Sequence, residues 1–265
     1  SARIHILEVG AGVGGTTATL LEMLAPFQDR IAEYRFTDLS AAFLHAAQDR
    51  FGSDRPAFET ARFDIEQSPG EQGIAADRYD VVVAANVLHV AADIRVALRH
   101  LKMPLRRNGL MFVNELSARS LFTHLTFGLL EAWWSHRDSV LRIPGSPALL
   151  PETWGRVLRQ EGFSAVVFPA EDVHALGQQI IIAESDGVVR QDAAPGVQAS
   201  AVKPPRAAPV TTEPAPSKAL GAATVPQDLR AACANIIHAV VADTLRLPES
   251  GIDRTRPLGK YGLDS

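Results

Sequence analysis

Glu8-Val9-Gly10-Ala11-Gly12-Val13-Gly14-Gly15-Thr16 is a glycine-rich loop set between an apolar run and an amphipathic one. An apolar run ahead of it, Arg3–Val9, reads as a strand. The run that it opens, Gly15–Leu24, reads as an amphipathic helix. Glycines between a strand and a helix let the backbone turn sharply and approach a ligand closely. Gly10, Gly12 and Gly15 satisfy G-x-G-x-x-G, and Asp38 closes the next expected strand, where an acid for ribose hydroxyls belongs. These residues alone leave the ligand open between a nicotinamide dinucleotide and another nucleoside cofactor.

Outward from the loop, short β-branched runs alternate with longer amphipathic ones. Strands are expected at Arg3–Val9, Tyr34–Thr37, Ala61–Asp64, Asp80–Ala84, Leu110–Glu115, Ala165–Phe168 and Gln179–Ala183. Helices are expected at Gly15–Leu24, Ala41–Arg50, Ala92–Leu101, Leu121–Trp134 and Glu152–Glu161. Alternation of this kind predicts an α/β fold with a mostly parallel sheet covered on both faces. Residues 186–226 break the pattern. They are rich in Pro, Ala, Val and Thr, lack apolar periodicity and read as a linker. From Leu229 an apolar helical face returns with Ile236, Ile237, Val240, Val241 and Leu245.

Bulk properties exclude several functions. The 265 residues carry a net charge of −4 with scattered basic side chains, so no nucleic-acid surface is expected. One cysteine, Cys233, permits no intrachain disulfide and suits a reducing, cytoplasmic setting. No apolar run is long enough for a membrane span, and no signal-peptide pattern opens the chain. The histidines show no ligand-like spacing, so no metal is expected.

Three acids at successive strand ends narrow the ligand. Glu8 stands two residues before Gly10, Asp38 ends the second strand and Asp64 ends the third. Glu8 is a poor neighbour for a pyrophosphate, whereas carboxylates suit the sulfonium and ammonium of S-adenosylmethionine. Open α/β sheets bind ligands at these carboxyl ends. Glu8, Gly10, Gly12, Gly14, Asp38 and Asp64 are the expected cofactor residues, and the resemblance of Phe63-Asp64-Ile65-Glu66 and Ala84-Ala85-Asn86-Val87-Leu88-His89 to class I methyltransferase loops adds Ile65 and Asn86. His89 follows strand four and Glu115 closes strand five. A carboxylate on one imidazole nitrogen fixes the tautomer and raises the basicity of the other, which suits proton removal from a carbon acid. The apolar stripe from Leu121 to Trp134 reads mostly as core, with one tryptophan available to wall an acyl pocket.

Residues 3–184 resemble the C-methyltransferase domains of polyketide synthases. Besides the glycine loop, the resemblance is carried by Tyr34-Arg35-Phe36-Thr37-Asp38-Leu39-Ser40, Phe63-Asp64-Ile65-Glu66, Tyr79–His89 with Ala84-Ala85-Asn86-Val87-Leu88-His89, and Phe127-Gly128-Leu129-Leu130-Glu131-Ala132-Trp133-Trp134. It implies a Rossmann-like class I methyltransferase with a seven-stranded, mostly parallel sheet. It also implies His89 and Glu115 as the catalytic pair. The expected reaction is methyl transfer from S-adenosylmethionine to the α-carbon of a β-ketoacyl chain on a carrier thioester, releasing S-adenosylhomocysteine. The family's loop often reads Leu-His-Ala-Thr, whereas this chain has Leu88-His89-Val90-Ala91.

The expected organisation is a methyltransferase core over 1–185 without the family's N-terminal lid, the linker over 186–226, and the truncated start of an acyl carrier protein over 227–265. Leu258-Gly259-Lys260-Tyr261-Gly262-Leu263-Asp264-Ser265 resembles the run into a phosphopantetheine serine, which makes Ser265 the expected attachment site. Expected partners are the carrier protein and neighbouring synthase domains. The rival readings are an O-methyltransferase acting on a related intermediate, a synthase domain that has lost catalysis and, more distantly, a nicotinamide oxidoreductase.

Overall fold

A computed structural model describes residues 3–191. The expected linker beyond 191, the carrier-like segment and Ser265 lie outside the described residues. Six strands form one sheet: β1 (Ile4–Val9), β2 (Ile31–Asp38), β3 (Phe58–Arg62), β4 (Tyr79–Ala85), β5 (Leu105–Leu116) and β6 (Gln178–Glu184). Their order is β3-β2-β1-β4-β5-β6, all parallel except the antiparallel edge strand β6. β1 pairs with β2 on one side and β4 on the other, so the strand order reverses between β1 and β4. An open sheet binds its ligand at the carboxyl ends beside such a reversal.

The expected seventh strand, Ala165–Phe168, does not form. That segment meets β6 only at the single bridge Val167–Ile182. The Val166 amide donates to the Ser164 carbonyl at 2.9 Å, a three-residue turn that removes it from any ladder. The third strand also lies earlier than expected, because its ladder pairs Tyr34–Asp38 with Phe58–Arg62. Asp64 therefore stands in the loop after β3.

Alternation along the central strands divides the core into two layers. Leu7, Val9, Val82 and Ala84 face one layer with helices α3 (Ile94–Lys102) and α5 (Pro151–Gln160). Ile6 and Val83 face the other layer, with α1 (Gly15–Leu24) and α2 (Ala41–Ala47). The α5 face of Trp154, Val157 and Leu158 is fully buried, which is worth about 2–3 kcal/mol per side chain.

The expected helix Leu121–Trp134 is broken. α4 covers Leu121–Thr126, and tight turns follow at Phe127–Leu129 and Glu131–Trp134. Leu130 is extended (φ −88°, ψ 138°) and separates the two turns. The stripe is not core, contrary to expectation. Leu121, Phe122, Leu125 and Leu129 are exposed and only Trp133 is buried. Six helical residues make less than two turns, too short to turn one continuous face onto the sheet.

Candidate active site

The glycine loop has the backbone its sequence requires. Gly10, Gly12 and Gly14 adopt φ of 60°, 56° and 77°. A Cβ on Gly10 would stand 2.3 Å from Val87 Cγ2, and one on Gly14 would stand 2.7 Å from the Phe51 ring. These two positions combine positive φ with close packing, which glycine alone tolerates. A Cβ on Gly12 would meet nothing within 4 Å, so this side of the loop is open. The loop is tied to the next strand: the Gly12 amide donates to Asp38 Oδ2 at 2.9 Å, and Asp38 Oδ1 accepts from the Ser40 amide at 2.8 Å.

Between the ends of β1 and β4 lies a cleft of about 220 Å³, lined by Gly10, Asp38, Asp64, Ile65, Phe63 and Val87 among others. Asp64 is held by its own turn, its Oδ1 accepting from the Glu66 amide and its Oδ2 from Gln67 Nε2. Glu8 lies beneath the loop. It is buried, and its Oε2 accepts from Thr17 Oγ1 at 2.7 Å and Tyr34 Oη at 2.6 Å. Burial pushes its carboxyl up, and those two hydrogen bonds offset only part of the shift. Oε1 of Glu8 is buried without a hydrogen-bond partner among the described residues.

This donor set fits S-adenosylmethionine. Of the three carboxylates on the lining, Asp38 and Asp64 suit ribose hydroxyls and an adenine amino group, and the apolar wall suits the base. Glu8 lies off the lining, and its buried, unpartnered oxygen is a free acceptor beneath the loop. Asn86 is placed elsewhere. With φ 52° it lines a second, larger cavity of about 420 Å³ together with His89, Leu116, Ser120, Phe122 and Trp133. Val90 and Ala132 line both cavities, so the two share a wall.

His89 and Glu115 meet at that wall. Both are buried, and His89 Nδ1 lies 2.8 Å from Glu115 Oε2. Oε1 of Glu115 accepts from the amides of Leu88 and His89 at 2.6 and 3.2 Å, and Oε2 accepts from Leu116 at 3.2 Å. Burial alone would raise the Glu115 carboxyl. The adjacent imidazole of His89 and the amides of Leu116 and Leu88 more than offset this, and the group lies below the usual glutamate value of 4.5. An ionised carboxylate only accepts, so Nδ1 is the nitrogen that donates to Glu115, and in the neutral ring Nε2 is the one with the free lone pair. The Trp133 ring packs edge-on to the imidazole, with centroids 5.2 Å apart, and stacks on Phe127 at 5.9 Å.

One consequence concerns pH. A group with a depressed folded-state pKa stabilises the fold above its unfolded pKa, and that stability is lost as pH falls through 4.5 toward the folded value. In urea unfolding, wild type is expected to exceed Glu115→Gln at neutral pH, with the gap narrowing below about pH 4.5. A gap that stays constant with pH contradicts the geometry.

A family described as "Methyltransferase domain" matches residues 7–111. Polyketide synthase PksM of Bacillus subtilis (strain 168) is 41% identical over 270 residues, which cover 100% of this chain and 6% of that protein. Polyketide synthase ThaQ of Burkholderia thailandensis is 52% identical over 196 residues, covering 72% of this chain and 9% of that protein. The chain thus spans less than a tenth of the length of these curated relatives. Among solved structures, DszA carbon methyltransferase superposes with a TM-score of 0.67 at 38% identity, covering 71% of this chain and 49% of that one. CurJ carbon methyltransferase gives 0.65 at 39%, covering 70% and 49%. The chain belongs to the carbon-methyltransferase domains of polyketide synthases.

Like those domains, it has the fold of an S-adenosylmethionine-dependent methyltransferase. The trans-methyltransferase CalH, solved in complex with SAH, is 34% identical with a TM-score of 0.59, covering 69% of this chain and 51% of that one. No helix among the described residues is long and apolar enough to cross a membrane.

The residues that sequence reasoning missed surround the base. Arg142 is buried, and its guanidinium reaches both the His89 and Ala91 carbonyls. The only trace in the sequence is Asp138-Ser139-Val140-Leu141-Arg142, an acid and a base one helical turn apart in an otherwise irregular stretch.

Proposed function

We propose that this carbon-methyltransferase domain methylates the α-carbon of a β-ketoacyl chain held on a carrier protein by a phosphopantetheine thioester. The arrangement of His89 and Glu115 carries this reading. They form a buried base pair in an apolar cavity that shares the wall Val90–Ala132 with the cofactor cleft. S-adenosylmethionine, when bound, supplies an electrophilic methyl group on its sulfonium.

The protein's own part is to bind, orient and deprotonate. Gly10, Gly12, Gly14, Asp38, Asp64 and Ile65 hold the cofactor, and Glu8 provides the unpartnered carboxylate oxygen beneath them. The apolar side chains of Leu116, Phe122, Phe127, Leu130, Trp133 and Leu176 line the larger cavity and suit an acyl chain. Asn86, on the same lining, offers a side-chain amide to a substrate carbonyl. His89 Nε2 removes a proton from the carbon between the two carbonyls. Glu115 keeps the tautomer fixed and stabilises the imidazolium that forms. The deprotonated α-carbon is the nucleophile, held beside the cofactor cleft so that positioning supplies much of the rate.

The carrier protein and neighbouring synthase domains are the proposed partners. The long polyketide synthase relatives support this, as does the resemblance of the segment ending at Ser265 to a carrier's attachment site. The test incubates the protein with S-adenosylmethionine and a β-ketoacyl pantetheine thioester and weighs the product. A gain of one methyl group is expected. S-adenosylhomocysteine binding without any methylated product would point to a domain that has kept its cofactor site and lost catalysis.

A further inference from the structure

We infer that Arg142, clamped by Asp138, is a positioning residue that holds the His89 base in register with the cofactor cleft. The inference rests on the reading of His89 as the base. A guanidinium has five N–H donors in a rigid fork, and in Arg142 all five are used. Nε and Nη2 donate to the two oxygens of Asp138, at 2.7 and 3.0 Å. Nη1 donates to the carbonyls of His89 at 2.9 Å and Pro147 at 2.7 Å. Nη2 also donates to the Ala91 carbonyl at 2.9 Å.

Two of these acceptors bracket the functional loop. The His89 carbonyl belongs to the base, and Ala91 lines the cofactor cleft. Between them Val90 lines both cavities. One guanidinium therefore fixes the backbone on either side of the shared wall. Asp138 extends the clamp, because its Oδ2 accepts from the Ile94 amide at 2.8 Å at the start of α3, where Asp93 caps the next two amides. The Arg137 amide donates to the Ala92 carbonyl at 2.7 Å. The segment 137–142 thus grips residues 89–94 at four points.

The chemistry explains why arginine stands here. A turn of three residues carrying the base has few backbone bonds of its own: within 88–91 the Ala91 amide bonds Leu88 O at 3.2 Å. A lysine has three donors and no fork, so it cannot serve five acceptors in three directions. Asp138 and Arg142 are buried as a bidentate pair, which orients the guanidinium toward the loop and keeps its charge paired.

The experiment measures kcat, KM and S-adenosylhomocysteine Kd for wild type, Arg142→Lys and Asp138→Asn, with the folded fraction from thermal unfolding. Displacing a reacting group by about 1 Å costs on the order of 100-fold. Arg142→Lys is therefore expected to lower kcat about 100-fold per folded molecule. KM and Kd should change by no more than about threefold. Asp138→Asn, which keeps the shape but frees the guanidinium, should fall in between. Arg142→Ala should regain part of its kcat when guanidinium ion is added at millimolar concentration.

Wild-type kcat per folded molecule in both Arg142→Lys and Asp138→Asn overturns the proposal. So does a loss confined to the folded fraction, which marks a purely structural pair. Should Arg142→Lys not fold at all, Asp138→Asn decides by the same criterion. His89→Ala separates the two readings. If it retains the wild-type rate, the assignment of the base fails. If it is inactive while Arg142→Lys is fully active, only the positioning role fails.

Discussion

Replacing His89 with alanine is expected to slow methyl transfer about 10³-fold while leaving S-adenosylhomocysteine affinity nearly unchanged. A positioned general base contributes on the order of 10²–10⁴-fold, and the geometry here favours the middle of that range or better. Nδ1 is committed to a carboxylate at 2.8 Å, and that carboxylate is fixed by three backbone amides. The tautomer is thereby decided before substrate arrives. The cofactor cleft is lined by Val90 and Ala91 but not by His89, so cofactor binding should survive the substitution. Calorimetry on the same sample as the kinetics provides the control. A variant that loses both activity and cofactor affinity would point to a collapsed loop rather than a missing base.

Gly10→Ala is expected to produce the largest structural effect of any methyl-sized change in the loop. Its φ of 60° costs an alanine about 1–2 kcal/mol. The new Cβ would lie 2.3 Å from Val87 Cγ2 and 2.7 Å from Val87 Cβ, and relieving that overlap costs about 1–3 kcal/mol more. A combined loss of about 3 kcal/mol corresponds to a fall of about 6–12 °C in thermal midpoint. Val87 is two residues before His89 and lines the cofactor cleft, so the disturbance should also weaken cofactor binding. Gly12→Ala is the informative contrast. Its φ of 56° carries the same strain, but its Cβ meets nothing within 4 Å. It should lose only about 1–2 kcal/mol of stability. If the open side of the loop faces the cofactor, its loss of affinity should exceed its loss of stability. Equal thermal shifts for the two variants would contradict the packing at Val87.

What could be read from the sequence follows from which forces are local. Gly10, Gly12 and Gly14 announce positive φ because other residues are strained there. Strands β1 and β4 announce themselves by largely apolar runs, because a sheet covered on both faces buries successive residues. Helix α3 is marked by its cap Asp93 and by basic residues in its last turn. The pairing of His89 with Glu115 was accessible from strand order, since β4 and β5 are neighbours and their ends lie together.

Other features depend on contacts that local pattern does not encode. Val166 and Val167 have the composition of a strand, yet the turn closed onto Ser164 prevents one. The leucines and phenylalanines from Leu121 to Leu129 have core composition, but α4 ends after six residues and leaves most of them exposed. Glu8 suggested a ligand contact, but not that its Oε2 would be engaged by Tyr34 from the neighbouring strand and Thr17 from the first helix. Beyond its spacing from Asp138, Arg142 gave no signal of its role, because its acceptors beside the base are backbone carbonyls about fifty residues away, and carbonyls leave no mark in a sequence.

Transfer of a methyl group to carbon with His89 as the base is tested by locating the transferred atom. The protein is supplied with S-adenosylmethionine labelled with ¹³C in its methyl group and with a β-ketoacyl pantetheine thioester, and the product is examined by ¹³C NMR. The label is expected as a methyl group on the carbon between the two carbonyls, coupled to its single remaining proton, and absent in His89→Ala. A label on oxygen, or one that appears on carbon at the wild-type rate in His89→Ala, would contradict it.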